Sequence, residues 1–261
     1  MSTIAHTGGP PIPATPAWPP RSAPRLYVDA PLGAGVAVPI EGNAAHYLLS
    51  VMRVGEGDGV LLFDGRSGEW AARAGAIRKR DLVLTCESQT KNLEVVPDFW
   101  LCAAPIRKGR IDLVVEKACE LGVAHIMPVL TRRAVVDRLK PERLRAQMIE
   151  AAEQCGRTGL PVLAEMVPLA RLLEGWNAGR ALFFADEEGG MAMAEAFAAR
   201  RGPAALLIGP EGGFAPEERA AIRACPSAVA ISLGPRILRA ETAAIAATAC
   251  WMALNGDWMR C

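Results

Sequence analysis

Two glycine-proline turns near the C-terminal end hold the residue types that let a ligand reach the main chain. The first reads Gly209-Pro-Glu-Gly-Gly213; the second opens at Gly234-Pro235 and runs Arg-Ile-Leu-Arg-Ala-Glu to Thr242. Gly209, Gly212 and Gly213 carry no side chain, so the backbone can bend sharply there and a ligand can come close to its amides. Pro216 suits the first turn of a helix, and Glu217 and Glu218 fall at that helix's positive end. Side by side, the two turns would make a pocket lined by main chain. Taken singly, each is an ordinary strand-to-helix turn.

Glycine-rich turns at helix starts are also anion sites, so phosphate chemistry is the first competitor. The chain has no G-x-x-x-x-G-K-[ST] run, and no G-x-G-x-x-G follows the first strand of its second half. It also lacks G-x-S-x-G and H-E-x-x-H, and its 3 histidines form no metal-spaced cluster. Nucleotide-cradling, hydrolytic and metal-centred readings are unsupported.

Each turn is preceded by a short apolar run, 204–208 and 228–233, that reads as a buried strand. Upstream the same alternation predicts strands over 100–105, 125–130 and 182–185. Helices are expected over 110–121, 141–155 and 191–200. Strands alternating with helices imply a mostly parallel, doubly wound α/β sheet, whose ligands sit at the carboxyl ends of its strands. The last helix, 241–254, is apolar nearly all round and must be buried on more than one side, either in the core or between subunits.

The first third has a different rhythm. Short strands are expected over 25–28, 35–38, 59–64, 69–76 and 81–87, with a helix over 43–53 capped by Asn43. Close-set strands with glycine-rich turns suggest a small β-barrel. Residues 1–24 contain seven of the 20 prolines and read as a disordered or extended arm. Residues 90–98 read as a linker, which leaves a barrel over 25–89 and an α/β domain over 99–261.

Net charge is +1, so the overall balance argues neither for nor against nucleic acid. Its distribution says more: residues 107–145 hold ten Lys or Arg against five Asp or Glu, while 174–218 hold three against eight. Such a local excess could meet phosphates, or could be a solvated helix face. No apolar run is long enough to span a bilayer. The 7 cysteines form no C-x-x-C pair and read as reduced thiols of a cytoplasmic protein.

Leu207-Ile-Gly-Pro-Glu-Gly-Gly213 together with Leu233-Gly-Pro-Arg-Ile-Leu-Arg-Ala-Glu-Thr242 resembles the bacterial 16S ribosomal RNA uridine-N3 methyltransferase family. Arg107-Lys-Gly-Arg110, 116–123 and 150–157 are similar to it too, as are 46–54 and Leu62-Phe-Asp-Gly65. The likeness covers about 25–258. It implies a PUA-like barrel that helps hold RNA, followed by a knotted domain of the SPOUT class that dimerises through the knot. It further implies S-adenosylmethionine as cofactor, the RNA of the small ribosomal subunit as substrate, and no metal.

By that resemblance the cofactor site comprises Gly209, Pro210, Glu211, Gly212, Gly213, Gly234 and Thr242, with apolar walls from Ile208, Leu233, Ile237 and Leu238. Residues 235–241 would form the tight crossing of the knot. Arg239 is expected to face the uracil oxygens while Glu211 or Glu241 orients groups or accepts the N3 proton. The plainer alternative for Arg239 is an ion pair with Glu241. Expected phosphate contacts are Arg25, Arg53, Arg107, Lys108, Arg110, Arg132, Arg133 and Arg157, with the basic turn Arg78-Lys-Arg80; Arg25, Arg53 and that turn are equally read as ordinary surface residues. Arg133 stands where the family usually has serine. Glu153, Gln154 and Arg157 could form a polar network beside the site, or a structural cap and a surface salt bridge. A methylase of transfer RNA, a module that binds RNA without catalysis, and a small-molecule enzyme using the same pocket are the other readings.

Overall fold

The computed structural model describes residues 18–260, in two compact units that divide between Thr90 and Lys91. Most of the expected arm, 1–17, lies outside the described residues. From Trp18 the chain lies against the first unit: the Arg73 guanidinium sits 3.7 Å from the Trp18 ring centre. A Cβ on Gly59 would come within 2.9 Å of the same indole.

The first unit contains β1 (Arg25–Tyr27), β2 (Ala37–Ile40), α1 (Gly42–His46), which continues as a π turn (Tyr47–Val51), β3 (Gly59–Phe63), β4 (Glu69–Ile77) and β5 (Leu82–Lys91). The strands form a mixed sheet in the order β1-β3-β4-β5-β2, with β1 parallel to β3 and β2 antiparallel to β5. Period-two patterning decides which side is buried: Leu82, Leu84 and Cys86 alternate into a core with Leu26, Val38, Ile40, Val60 and Leu62. Leu48 of the π turn closes that core. Asn43 is not the helix cap: Glu41 holds that position and no side chain caps it, so the helix begins one residue earlier.

The second unit runs β6 (Phe99–Ala103), α2 (Arg110–Glu120), β7 (His125–Leu130), α3 (Pro141–Cys155), β8 (Val162–Leu163), β9 (Val167–Pro168) and α4 (Leu169–Glu174). It continues with β10 (Ala181–Ala185), β11 (Met191–Ala192), α5 (Met193–Ala199), β12 (Ala204–Ile208), α6 (Pro216–Ala224), β13 (Ala228–Ser232) and α7 (Ala240–Asn255). The strand order is β11-β13-β10-β12-β6-β7-β8, with β9 also on β7. Pairing is parallel throughout the described ladders, for example β10 with both β12 and β13.

All five residues of β12 are buried, as expected for a central parallel strand covered on both faces. One set of alternating side chains, including Cys102, Leu182, Phe184, Ala205 and Leu207, packs with Leu169, Leu172 and Ile222 of α4 and α6. The other set meets α5 and α7: Phe183 lies edge-on to Phe197 with centres 4.8 Å apart, and Phe99 stacks on Trp251 at 4.2 Å. The short elements β8, β9, α4 and β11 were not anticipated, being too brief to show a period. The expected linker is partly ordered structure, since Thr90 and Lys91 end β5. Beyond them Glu94 pairs with Arg157 and Asp98 with Arg180.

Candidate active site

Because β10 lies between β12 and β13, the loops that follow these three strands converge at their carboxyl ends. They enclose a cavity of about 340 Å3, walled by residues from 185–189, 208–214 and 231–243. Gly234 has φ +105° and Gly213 φ +67°, conformations that L side chains rarely adopt. A Cβ on Gly213 would lie 2.5 Å from the Glu187 carboxylate, and one on Gly209 would lie 3.2 Å from the Phe214 ring. At Gly209 and Gly213, therefore, the wall has to be main chain.

Neighbouring residues hold the first turn in shape. The Gly213 N–H donates to the Pro210 carbonyl at 2.9 Å, and Arg133 Nη1 donates to the Gly212 carbonyl at 2.8 Å. The Glu218 carboxylate accepts from the Ala215 and Arg132 N–H groups at 3.0 and 2.8 Å, anchoring the start of α6. Arg110, at the start of α2, reaches two carboxylates: Glu211 at 3.4 Å and Glu241 at 3.6 Å.

Of the residues expected to form the cofactor site, Ile208, Gly209, Pro210, Glu211, Gly213, Leu233, Gly234, Ile237 and Leu238 line the cavity. Gly212 and Thr242 do not; Gly212 turns its carbonyl to Arg133, and Thr242 is exposed on α7. Arg239 is exposed and lines the cavity, as does Arg236. Glu241 lies on the α2 side of α7, paired to Arg110 rather than to Arg239, with its second oxygen buried and without a hydrogen bond.

Asp186, Glu187 and Gly189 of the loop after β10, together with Phe214, Arg219 and Arg236, line the cavity and were not anticipated as ligand contacts. The fully buried Asp186 carboxylate lies 3.0 Å from Arg219 and 2.7 Å from Arg223. Arg219 also meets Glu187 at 3.0 Å. Asp186-Glu-Glu-Gly-Gly190 ends a recognisable strand, and the rule that ligands bind at strand ends would have found it. No spacing in the sequence says that β10 lies between β12 and β13.

Several expected RNA contacts need correction. Arg157 is 5% exposed and donates to the Cys119 and Val123 carbonyls at 2.8 and 2.9 Å, so it caps the end of α2. Buried there, it is not a phosphate contact and does not line the cavity, and the structural-cap reading is the one it fits. Arg25 is also engaged inside its unit, 2.6 Å from Glu69 and over the Phe63 ring. Arg53, Arg107, Lys108, Arg132 and Arg133 are exposed, although Arg132 pairs with Glu217 at 3.2 Å.

A parallel α/β unit with a main-chain-walled cavity at a switch in strand order, preceded by a small mixed sheet, matches two family models. These are the RNA methyltransferase domain, over residues 94–252, and the RNA methyltransferase PUA domain, over 40–85. The chain is 30% identical over 229 residues to ribosomal RNA small subunit methyltransferase E of Rickettsia conorii, covering 86% of this chain and 93% of that one. It belongs to that family, ribosomal RNA small subunit methyltransferase E.

Two solved structures carry bound S-adenosylmethionine. One is a methyltransferase from Legionella pneumophila, with TM-score 0.81, 29% identity, and 90% and 99% of the two chains covered. The other is the ribosomal RNA small subunit methyltransferase E of Neisseria gonorrhoeae, with TM-score 0.81, 28% identity and the same coverage.

Proposed function

We propose that this protein transfers a methyl group from S-adenosylmethionine to N3 of one uridine in 16S ribosomal RNA, acting as a cytoplasmic homodimer. The observation that carries the reading is the cavity beyond β10, β12 and β13, built from the two glycine-proline turns in a chain whose fold matches cofactor-bound relatives. Its volume suits a nucleoside-sized ligand. Main-chain groups of 208–211, 213 and 233–238 would hold the adenosine, while Gly212 and Thr242 act from outside the wall.

Bound S-adenosylmethionine supplies a methyl group on a sulfonium, already an activated leaving group. The protein therefore has to align, exclude water and manage one proton. The N3–carbon bond forms as the sulfur–carbon bond breaks, and the N3 proton leaves. Arg239, at the mouth of the cavity, faces the uracil oxygens and stabilises the negative charge that deprotonation leaves on the ring. Glu211, which lines the cavity and is steadied by Arg110, takes the proton; Glu241, off the cavity wall, orients Arg110. The target base must be unpaired or turned out of its stack, because N3 lies on the pairing edge.

Residues 235–241 are assigned to the crossing of a trefoil knot, a reading supported by family membership and by the strand order β13-β10-β12-β6. Dimerisation is assigned to α7, where Thr242, Ala246 and Ala253 leave one side of a mainly apolar helix exposed. Residues 25–89 serve as the RNA-holding module and 99–261 as the catalytic one. The cytoplasmic assignment fits the scattered cysteines; no described helix is long and apolar enough to cross a membrane.

The test is incubation with labelled S-adenosylmethionine and small ribosomal subunits, naked ribosomal RNA or transfer RNA, followed by nucleoside analysis. Label recovered as 3-methyluridine from the small-subunit RNA is expected. Label confined to another nucleoside or to transfer RNA would overturn the assignment.

A further inference from the structure

The first unit contains a second cavity, of about 240 Å3, between the π turn after α1 and the tip of the β4–β5 hairpin. Its walls are Gly42, His46, Leu49, Ser50, Lys79 and Arg80. A lysine, an arginine, a histidine and a serine thus line one hollow, and no carboxylate does. Among the described residues these four polar side chains have no ion-pair or hydrogen-bond partner within the protein.

That sets them apart from the arginines of the sheet itself. Arg25 is held by Glu69, and Arg73 is held by Glu87 while it lies over Trp18. Cations left unpaired around a concave surface repel one another, so the arrangement favours an anion that brings its own negative charge. Arginine and lysine with a hydroxyl donor match phosphate oxygens.

The backbone is shaped to make the hollow. Gly42 has φ +61° at the start of α1, and the helix then widens to π geometry, with the Met52 N–H donating to the Tyr47 carbonyl at 3.0 Å. Single π turns are frequent at functional sites. Here the turn keeps Leu48 in the core and leaves Leu49 and Ser50 on the cavity wall. On the same turn Val51 is 61% and Met52 40% exposed, so apolar surface adjoins the cations. Nucleic acid presents charged phosphate and flat apolar base faces together, which a free phosphate does not.

We infer that this hollow binds a phosphodiester of the substrate RNA, with Lys79 and Arg80 pairing the charge and His46 and Ser50 donating hydrogen bonds. The inference rests on the RNA-methylating reading above and gives the first unit a defined role on the RNA. On this inference His46 is a binding residue.

The test uses the full-length protein with naked small-subunit ribosomal RNA across a series of salt concentrations. The double variant Lys79→Ala, Arg80→Ala should make the slope of log affinity against log salt shallower by roughly 0.7, the contribution of one single-strand phosphate that is no longer neutralised. The Michaelis constant for RNA should rise about tenfold or more, while the rate at saturating RNA and the affinity for S-adenosylmethionine stay unchanged.

Ser50→Phe keeps both cations and fills the hollow, and it should weaken RNA binding as well. An unchanged salt slope in the double variant would overturn the inference. Full RNA affinity in Ser50→Phe would also overturn it, leaving only a diffuse surface field. If the wild type binds RNA but methylates none, the proposed reaction fails, and the salt slopes still decide the fate of the subsite.

Discussion

The Glu241 partner that the sequence offered Arg239 is taken by Arg110, and the proposed mechanism gives Arg239 the substrate instead. Arg239→Ala should lower the methyl-transfer rate at saturating cofactor by about a hundredfold, the usual cost of losing a charge-stabilising donor. Cofactor affinity should be unaffected; an undiminished rate would remove Arg239 from the mechanism. Gly213 sits at φ +67° against the Glu187 carboxylate. Gly213→Ala adds roughly 1–2 kcal/mol of backbone strain to that clash, so calorimetry should show S-adenosylmethionine binding weakened at least tenfold. The cysteines differ in a way that labelling can read. Burial pushes the Cys102 and Cys119 thiols up to about 12, whereas Cys155 is exposed. Iodoacetamide on the folded protein near pH 8 should alkylate Cys155 and spare the other two, since the thiolate is the reactive form.

At the scale of elements, the cavity depends on strands that end together and on helices that clamp them. α7 carries part of the cavity wall at Ala240 and Ala243, and it is fixed to the sheet by Trp251 stacked on Phe99. Trp251→Ala should cost about 3–5 kcal/mol in a denaturation experiment, as is usual for an emptied aromatic core site. Arg157 has a comparable structural part, tying the end of α2 to the segment that enters the unit. Its replacement should lower the melting temperature and leave the salt dependence of RNA binding unchanged, the opposite of what a phosphate-binding arginine would do. Asp98 adds a pH dependence. The Arg180 guanidinium bonded to it holds its carboxyl below the ordinary carboxylate range, outweighing burial, which acts the other way. Its stabilisation is present above the unfolded value, near pH 4, and is lost as pH falls through the lower folded value. Because the side chain is half exposed, solvent screens the effect. An Asp98→Asn variant should show a slightly flatter acid-denaturation curve than wild type.

At the scale of the whole molecule, the two units have separate cores, and the boundary falls at the end of β5. Each core is made from its own strands, so a fragment beginning at Asn92 should fold and bind S-adenosylmethionine while losing most affinity for RNA. Circular dichroism and calorimetry on that fragment would check the first part, and a filter-binding series the second. The proposed dimer puts the exposed side of α7 against a second copy. Ala246→Arg should then shift the sedimentation coefficient from dimer to monomer, and a wild type that sediments as a monomer at micromolar concentration would refute the dimer outright.

Local regularities carried much of this into the linear chain. Apolar runs closed by Gly-Pro announced β12 and β13, proline starts and glycine stops bounded α3, and the glycines of 209–213 marked main chain open to a ligand. These are signals between residues a few positions apart, set by backbone sterics and by the periods of strand and helix. What tertiary structure alone decided was adjacency. It inserted β10 between β12 and β13, which brought Asp186 and Glu187 into the cavity. It turned Arg157 and Arg25 inward to partners 34 and 44 residues away, and it gave Arg110 to Glu211 and Glu241 across more than 100 positions. An arginine reads the same in sequence whether it meets phosphate, a carbonyl or a carboxylate. Only packing, by burying some partners and leaving others in water, fixes which of these it does.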